Sequence, residues 1–315
     1  MKTIIDPVDV ALIEAELTQD RFLRHTNKGN NEIYVVDAFN APNVMREIGR
    51  LREIAFRAAG GGTGKDCDID EFDTMPRPCQ QLVVWNPQEK EILGGYRFIL
   101  GEEMDFKADG TPNIAISHMF GYSRRFLDEF LPVTLELGRS FVRLEYQSTR
   151  VDFKSIYTLD NLWDGLGALT VVYPQIKYLL GKVTMYPSYS RECRDLLLTF
   201  LDAHFHDNDH MVWPLTPVER IFPASHFASI VEGKDFKEDY RRVNSFIRDL
   251  GYNIPPLVNA YMSLSPTMRM FGTAVNYEFG DVEETGILFK ISEITEEKKG
   301  RHIGTFDTEE SHYHE

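Results

Sequence analysis

Asp70-Glu71-Phe72-Asp73 is followed along the chain by Gly95-Tyr96-Arg97 and then by Glu136-Leu137-Gly138-Arg139. Each of these charged clusters lies on or beside an apolar run that predicts a strand. Burying so many charges against a sheet costs free energy unless the charges pair with one another or serve a site. We therefore interpret the three clusters as one polar network built for chemistry.

The composition is that of an ordinary globular protein. The chain has 315 residues, 43% of them hydrophobic, which is enough to bury a full core in one large domain or two small ones. Its formal net charge is -15, whereas a general nucleic-acid binder needs a basic face that displaces counterions. We expect no nucleic-acid partner, and any basic patch must be local.

The cysteines and the apolar runs indicate a cytoplasmic protein. Cys67, Cys79 and Cys193 have no paired spacing, so neither a disulfide framework nor a zinc site is predicted. Residues 1–6 become acidic too soon for a signal peptide, and no apolar run approaches the ~20 residues that a membrane span needs. Any membrane contact would therefore be peripheral.

The periodicity of apolar residues predicts an α/β order of elements. Helices are expected at 7–17, 43–59, 156–173 and from residue 256, and strands at 32–36, 81–85, 91–100, 133–144, 178–185, 268–277 and 285–294. A mostly helical insertion is expected at about 188–250. Residues 296–315 are charged and poor in apolar groups, which predicts a disordered tail after a single domain over 1–295.

The order of these motifs resembles that of the acyl-homoserine-lactone synthases and their relatives in the GNAT acyltransferase superfamily. The resemblance spans roughly residues 30–292. It is strongest to the bacterial ornithine and glycine acyltransferases of aminolipid synthesis, which also carry the label hemolysin. The residues that carry it are Arg52, Phe56, Asp70, Asp73, Gly95-Tyr96-Arg97, Glu136-Leu137 and Arg139.

The resemblance implies a GNAT-like mixed twisted sheet flanked by helices. It also implies N-acylation of a small amino acid by a fatty acyl group, with acyl carrier protein or acyl-CoA as donor and no permanently bound cofactor. The residues expected to bind substrate are Arg52, Phe56, Asp70, Asp73, Arg97 and Arg139.

The chemistry of such a site requires a group that accepts a proton from the attacking amine. Glu136 is the candidate general base, since its apolar neighbours favour the neutral carboxyl, although Arg139 opposes this. Arg97 and Arg139 suit either the carboxylate of an amino acid or the Asp70 and Asp73 pair, which could also hold an α-ammonium. The alternative is an ion-pair network that merely orders a loop.

In this superfamily, backbone amides at a helix start bind the phosphate of phosphopantetheine, through a pattern that Gly165, Gly167 and Ala168 resemble. Leu162 stands where that pattern has Gln or Arg, a departure compatible with a carrier protein, which carries a single phosphate. The alternative is two glycines in a packed helix.

A local basic run favours docking of an acidic acyl carrier protein. Arg143, Arg150 and Lys154 outnumber the nearby Glu145 and Asp152. The alternative is solvated surface charge.

Three other motifs favour no function of their own. Residues 60–65 are glycine-rich like a P-loop, but Ala59 and Asp66 break the pattern, so we expect a flexible loop that covers substrate. Residues 204–210 are rich in histidine, yet their spacing and helical end predict no metal site. Lone Cys67 lies between two aspartates, which disfavour its thiolate.

Two other functions remain open from the sequence. One is synthesis of a lactone signal, although that family is shorter. The other is a membrane-active or lipid-binding protein without catalysis, which the hemolysin label suggests and the lack of a basic amphipathic helix disfavours.

Overall fold

A computed structural model describes residues 1–147 and 153–313, with side chains outside 153–156. The chain divides into two compact units. The first comprises Met1–Ala115, Val133–Lys177 and Thr295–Glu315, and the second comprises Ile116–Pro132 and Tyr178–Ile294. Both units combine strands with helices, which confirms the predicted α/β class; the single domain over 1–295 stays a prediction.

The strands of the first unit form an antiparallel array, and those of the second unit form two. In chain order the strands are β1 Phe22–His25, β2 Glu32–Val36, β3 Gln80–Asn86, β4 Glu91–Leu100, β5 Phe120–Tyr122, β6 Thr134–Val142, β7 Tyr178–Met185, β8 Val212–Pro214, β9 Arg269–Asn276 and β10 Val282–Lys290. In the first unit β1, β2, β3, β4 and β6 pair in that order. In the second unit β10 pairs with β7 and β9, and β5 pairs with β8.

Helices lie before, between and after these strands along the chain. They are α1 Val10–Glu16, α2 Pro42–Ala59, α3 Glu71–Thr74, α4 Phe153–Val172, α5 Arg191–Phe205, α6 Phe236–Asp249, α7 Pro256–Met262 and α8 Glu296–His302. The predicted insertion at 188–250 contains α5 and α6 together with the short strand β8.

Helix α2 shows why the sequence forms these elements where it does. Pro42 at its first turn lacks the amide that would have no partner there, and Gly60 ends the helix in the left-handed conformation, at φ 96°. Val44, Ile48 and Leu51 recur at helical spacing and are buried. This face supports the sheet of the first unit, and Arg52 follows it directly.

The C-terminal segment differs from the prediction of disorder over 296–315. Residues Glu296–His302 form α8, and His302 is buried with its Nδ1 2.8 Å from Asp164 Oδ1. Farther along, the amide of Tyr313 donates to the carbonyl of Phe22 at 3.0 Å. The segment has few apolar groups, but its polar groups find specific partners in the first unit, and this compensates the cost of ordering it.

No helix in the described ranges is both long enough and apolar enough to cross a membrane.

Candidate active site

Asp70 and Asp73 form the capping box of the short helix α3. The Asp70 carboxylate accepts from the amide of Phe72 at 3.0 Å, and the amide of Asp70 donates to Asp73 Oδ2 at 3.1 Å. The three-residue spacing of these aspartates is thus the spacing that a helix capping box requires. Each carboxylate keeps a second oxygen or lone pair that can meet arginines from other elements.

Two buried arginines converge on this pair. Arg97 of β4 places Nη1 2.6 Å from Asp70 Oδ1 and 3.4 Å from Asp73 Oδ1. Arg52 of α2 lies 3.4 Å from Asp73 Oδ1 and also donates to Gln81, whose own amide donates to Asp73 at 3.0 Å. Because Arg52 is 0% exposed and Arg97 is 1% exposed, both charges depend on these partners rather than on water.

Arg139 reaches Asp70 from β6. Its Nη2 lies 3.3 Å from Asp70 Oδ2, and its Nε lies 3.0 Å from Asp68 Oδ2. Asp68 is fully buried. Asp68 lies outside the charged motifs, where the sequence indicated only its effect on the Cys67 thiolate, so this member of the network was not predicted.

Glu136 lies on the same face of the sheet as Arg97. Gly138 pairs with Arg97 and Glu136 pairs with Ile99, and residues two apart on a strand share a face. A side chain starting at Gly138 would lie 3.7 Å from Glu136 Oε1 and 3.9 Å from Arg97 Nε. Asp70, Asp73, Arg97 and Arg139 therefore form one ion-pair network with Glu136 on the same face of the sheet, and the role of Glu136 as general base stays a prediction.

The pKa shifts follow from burial and pairing. Burial by itself would raise the pKa of Asp70, but the charge and hydrogen bond of Arg97, aided by Arg139 and Arg52, hold this pKa below its usual range. Burial would lower the pKa of Arg97, yet Asp73 and Asp70 raise it well above its ordinary value. Both groups are therefore charged at neutral pH.

The two aromatic residues beside the network are placed differently. Phe56 lies one turn beyond Arg52 on α2 and is buried. The Phe72 ring lies 5.5 Å from the Arg97 guanidinium carbon, in cation–π geometry. Only Phe56 was expected at the site, because a lone aromatic inside the acidic stretch carries no sequence signal for this contact.

Among the described residues, the network has more carboxylates than guanidiniums, and one of its edges is more exposed than the rest. Its charged members are Asp68, Asp70, Asp73 and Glu136 on one side and Arg52, Arg97 and Arg139 on the other. The side chains of Asp70 and Arg139 are 17% and 13% exposed, whereas the others are 0–1% exposed. Four carboxylates against three guanidiniums suit a cationic group, and this edge can meet an ammonium and a carboxylate together.

Known proteins with similar sequences support an acyl-transfer function. Residues 51–154 match the family described as an acetyltransferase (GNAT) domain. Glycine N(alpha)-acyltransferase of Bacteroides thetaiotaomicron is 62% identical over 306 residues, covering 97% of this chain and 91% of that protein. The enzyme of the same name from Phocaeicola vulgatus is 60% identical, covering 97% and 94%. The chain belongs to this N-acyltransferase family.

The family confirms three predictions: the GNAT-like α/β fold, the resemblance to this branch of the GNAT superfamily, and an enzyme rather than a non-catalytic protein. A GNAT-type acyltransferase uses its acyl donor as a substrate. Among solved structures, the AHL synthase LasI matches 50% of this chain and 74% of its own, with 14% identity and a TM-score of 0.33.

The structure corrects the predicted phosphate cradle of this N-acyltransferase. Gly165, Gly167 and Ala168 lie inside helix α4 rather than at its start. A Cβ on Gly165 would come within 2.6 Å of Leu82, and one on Gly167 would come within 2.2 Å of the His302 carbonyl oxygen. The glycines thus allow α4 to pack closely on β3 and α8, and their amides are used within the helix.

The predicted docking residues are only partly described. Arg143 is half-buried and pairs with Glu91 at 2.9 Å and with Glu145 at 3.1 Å. Arg150 lies outside the described residues, and Lys154 is described by its backbone alone. Docking therefore stays a prediction.

The glycine-rich loop of residues 60–65 binds the side chain of Glu53. The amides of Thr63 and Gly64 donate to the buried Glu53 carboxylate at 3.1 and 2.8 Å, and Arg57 donates to it at 2.7 Å. The amide of Lys2 donates to the Gly64 carbonyl at 2.9 Å. The loop is tied down on two sides, which corrects the expectation of a flexible cover.

The other residues considered from the sequence have structural partners. His204 Nε2 lies 2.8 Å from Asp239 Oδ2. Within the described ranges, no group of three or more His, Cys, Asp or Glu side chains could hold a metal ion. Burial, together with Asp68, raises the pKa of Cys67 to about 11, which disfavours its thiolate.

Proposed function

We propose that the protein transfers a fatty acyl group from acyl carrier protein to the amine of glycine, as a step in the synthesis of aminolipids of the glycine or ornithine class. The observation that carries this proposal is the edge formed by Asp70 and Arg139, where a carboxylate and a guanidinium lie 3.3 Å apart. The names of the two relatives support glycine as the acceptor.

The two charged ends of the amino-acid acceptor bind to two groups of opposite charge. Asp70 receives the ammonium, and Arg139 receives the carboxylate through its planar fork. Arg52 and Arg97 are buried and committed to Asp73 and Asp70, so they position the edge rather than touch the substrate. Because Asp70 and Arg139 lie only 3.3 Å apart, they suit an acceptor whose amine and carboxylate are close together.

The reaction forms a C–N bond and breaks a C–S bond. The deprotonated amine attacks the thioester carbonyl carbon, and the tetrahedral intermediate expels the thiolate. Of the two protons that the ammonium nitrogen loses, one goes to the leaving thiolate and one goes to solvent. Glu136, on the same face as Arg97, relays these protons as general base and then general acid.

Charge and packing favour a carrier protein over coenzyme A as donor. The glycines of α4 pack against Leu82 and His302, so this segment does not supply a clamp for a pyrophosphate. The run that holds Arg143, Arg150 and Lys154 would attract an acidic partner. We assign the reaction to the reducing cytoplasm, which suits three free cysteines.

The experiment incubates the purified protein with a fatty acyl carrier protein, or with the matching acyl-CoA, and with single amino acids. Mass spectrometry then detects N-acyl products. We expect N-acylglycine, formed faster from the carrier protein, and a new N-acyl amino acid in lipid extracts of cells that express the protein. A faster reaction with another amino acid would overturn the acceptor, and a faster reaction with acyl-CoA would overturn the donor.

A further inference from the structure

Arg139 adopts a backbone conformation that few arginines adopt. Its φ is 48°, in the left-handed region, which costs about 1–2 kcal/mol for a residue with a Cβ. Gly95 pairs with Phe141 and Arg97 pairs with Gly138, so Arg139 and Ser140 together lie opposite the single residue between Gly95 and Arg97. This is a β-bulge, a feature that redirects a side chain.

A buried carboxylate meets the redirected side chain. Asp68 is 0% exposed, and its Oδ2 lies 3.0 Å from Arg139 Nε. Among the described residues, neither Asp68 oxygen has a hydrogen-bond partner of normal geometry. Its ion pair with Arg139, together with the nearby charge of Arg52, compensates the burial of this charge.

Helix α2 leaves room for this carboxylate. A Cβ on Gly49 would come within 2.5 Å of Cys67 Sγ and 2.8 Å of Ile69 Cγ1, and the Asp68 amide donates to the Gly49 carbonyl at 3.0 Å. The glycine allows residues 67–69 to lie directly on the helix. The chain thus combines a strained arginine with a close approach of two segments to form one ion pair.

We infer that Asp68 is a positioning residue that determines acceptor specificity. The Asp68 carboxylate holds Nε of Arg139, and this fixes the orientation of the guanidinium so that Nη2 lies beside Asp70. An acceptor carboxylate can then bind in the plane of the guanidinium. Asp68 therefore selects amino acids over amines that lack a carboxylate. The inference rests on the proposed function, because that proposal assigns Arg139 to the acceptor.

The experiment compares glycine with glycinamide, which keeps the amine and lacks the carboxylate. In Asp68→Asn, kcat/KM for glycine should fall about tenfold or more, mainly through KM, because a misplaced guanidinium loses a charge-assisted hydrogen bond. The value for glycinamide should change less than about threefold. Asp68→Glu, which keeps the charge, should recover part of the preference for glycine and serves if Asp68→Asn does not fold.

Two controls separate positioning from structure. Glu53→Gln alters an equally buried carboxylate that pairs with Arg57 outside the network, and it should keep the wild-type ratio of glycine to glycinamide. In the Arg139→Gln background, Asp68→Asn should lower the glycine rate no further, because a residue that acts through Arg139 has no effect without it.

The possible failures are distinct. A wild-type protein that does not acylate glycine would overturn the proposed function. An active wild-type protein with an unchanged substrate ratio in Asp68→Asn, or with additive losses in the double variant, would overturn the role of Asp68 alone.

Discussion

Two buried ion clusters in this protein differ in how their charges are compensated. In the second unit, Asp195 Oδ1 lies 2.7 Å from Arg194, and its other oxygen accepts from the amides of Ile221 and Phe222 at 2.9 Å each. Arg194 continues to Glu283 at 2.7 Å. Here the Asp195 carboxylate accepts hydrogen bonds from backbone amides, and these bonds hold the loop at residues 221–222 against helix α5.

The network of the first unit is arranged differently. Within the described part of the chain it has four carboxylates for three guanidiniums, one arginine at φ 48°, and a partly exposed edge at Asp70 and Arg139. The structural cluster, by contrast, matches Arg191 and Arg194 with Asp195 and Glu283. An excess of one charge and a strained residue are costs that a purely structural cluster has no reason to carry.

The largest effect is expected from Glu136→Gln. The amide keeps the shape of the side chain but cannot accept a proton, so turnover should fall on the order of 10²–10⁴-fold. Steady-state rates, with circular dichroism to confirm folding, measure this. A loss of turnover under about threefold would show that Glu136 has a structural role, like the charges around Asp195.

Asp195→Asn should show the opposite pattern. Removing the charge leaves the buried Arg194 with Glu283 as its remaining ion-pair partner among the described contacts, which should lower the free energy of unfolding by about 3 kcal/mol. Turnover per folded molecule should stay within about twofold of wild type. Urea unfolding and rates at low temperature test both parts. A large loss of turnover in a fully folded variant would remove the distinction between the clusters.

Acid should weaken the first unit through Asp70. The pKa of this carboxyl is below its ordinary value of 3.8 in the folded protein, so its contribution to stability is present above that value and is lost as the pH falls below it. Asp70→Asn should flatten the slope of stability below about pH 4 by at most about 1.4 kcal/mol per pH unit. An unchanged slope in a denaturant series would show that Asp70 is not held as a carboxylate.

The smallest effect is expected from the basic run that holds Arg143 and Arg150. Reversing Arg143 and Arg150 to Glu should slow acylation from a carrier protein a few-fold below saturation and leave acylation from a small acyl thioester unchanged. The effect of Arg143 is limited, because Glu91 and Glu145 already pair with it. Equal losses with both donors would assign these arginines to the fold.

Most of the network was predictable from sequence because its members belong to strongly patterned segments. The strands 32–36, 91–100 and 178–185 and the helix from residue 43 have the bounds expected from periodicity to within a residue, and charges on neighbouring elements must meet one another. Asp68 and Gln81 were missed because neither lies in a motif. The role of Asp68 depends on the close approach of residues 67–69 to Gly49, and the role of Gln81 depends on its pairing with Arg97 across two strands.

The sequence by itself determined the α/β class, the positions of the principal elements and the convergence of Asp70, Asp73, Arg97, Glu136 and Arg139, because period and charge are local properties of the chain. Only the tertiary structure decided that Gly165 and Gly167 lie within a packed helix and that residues 296–302 fold. One close approach is common to both: a Cβ on Gly167 would come within 2.2 Å of the His302 carbonyl oxygen. Its partners are far apart in sequence, and no local pattern records which distant backbone a glycine will meet.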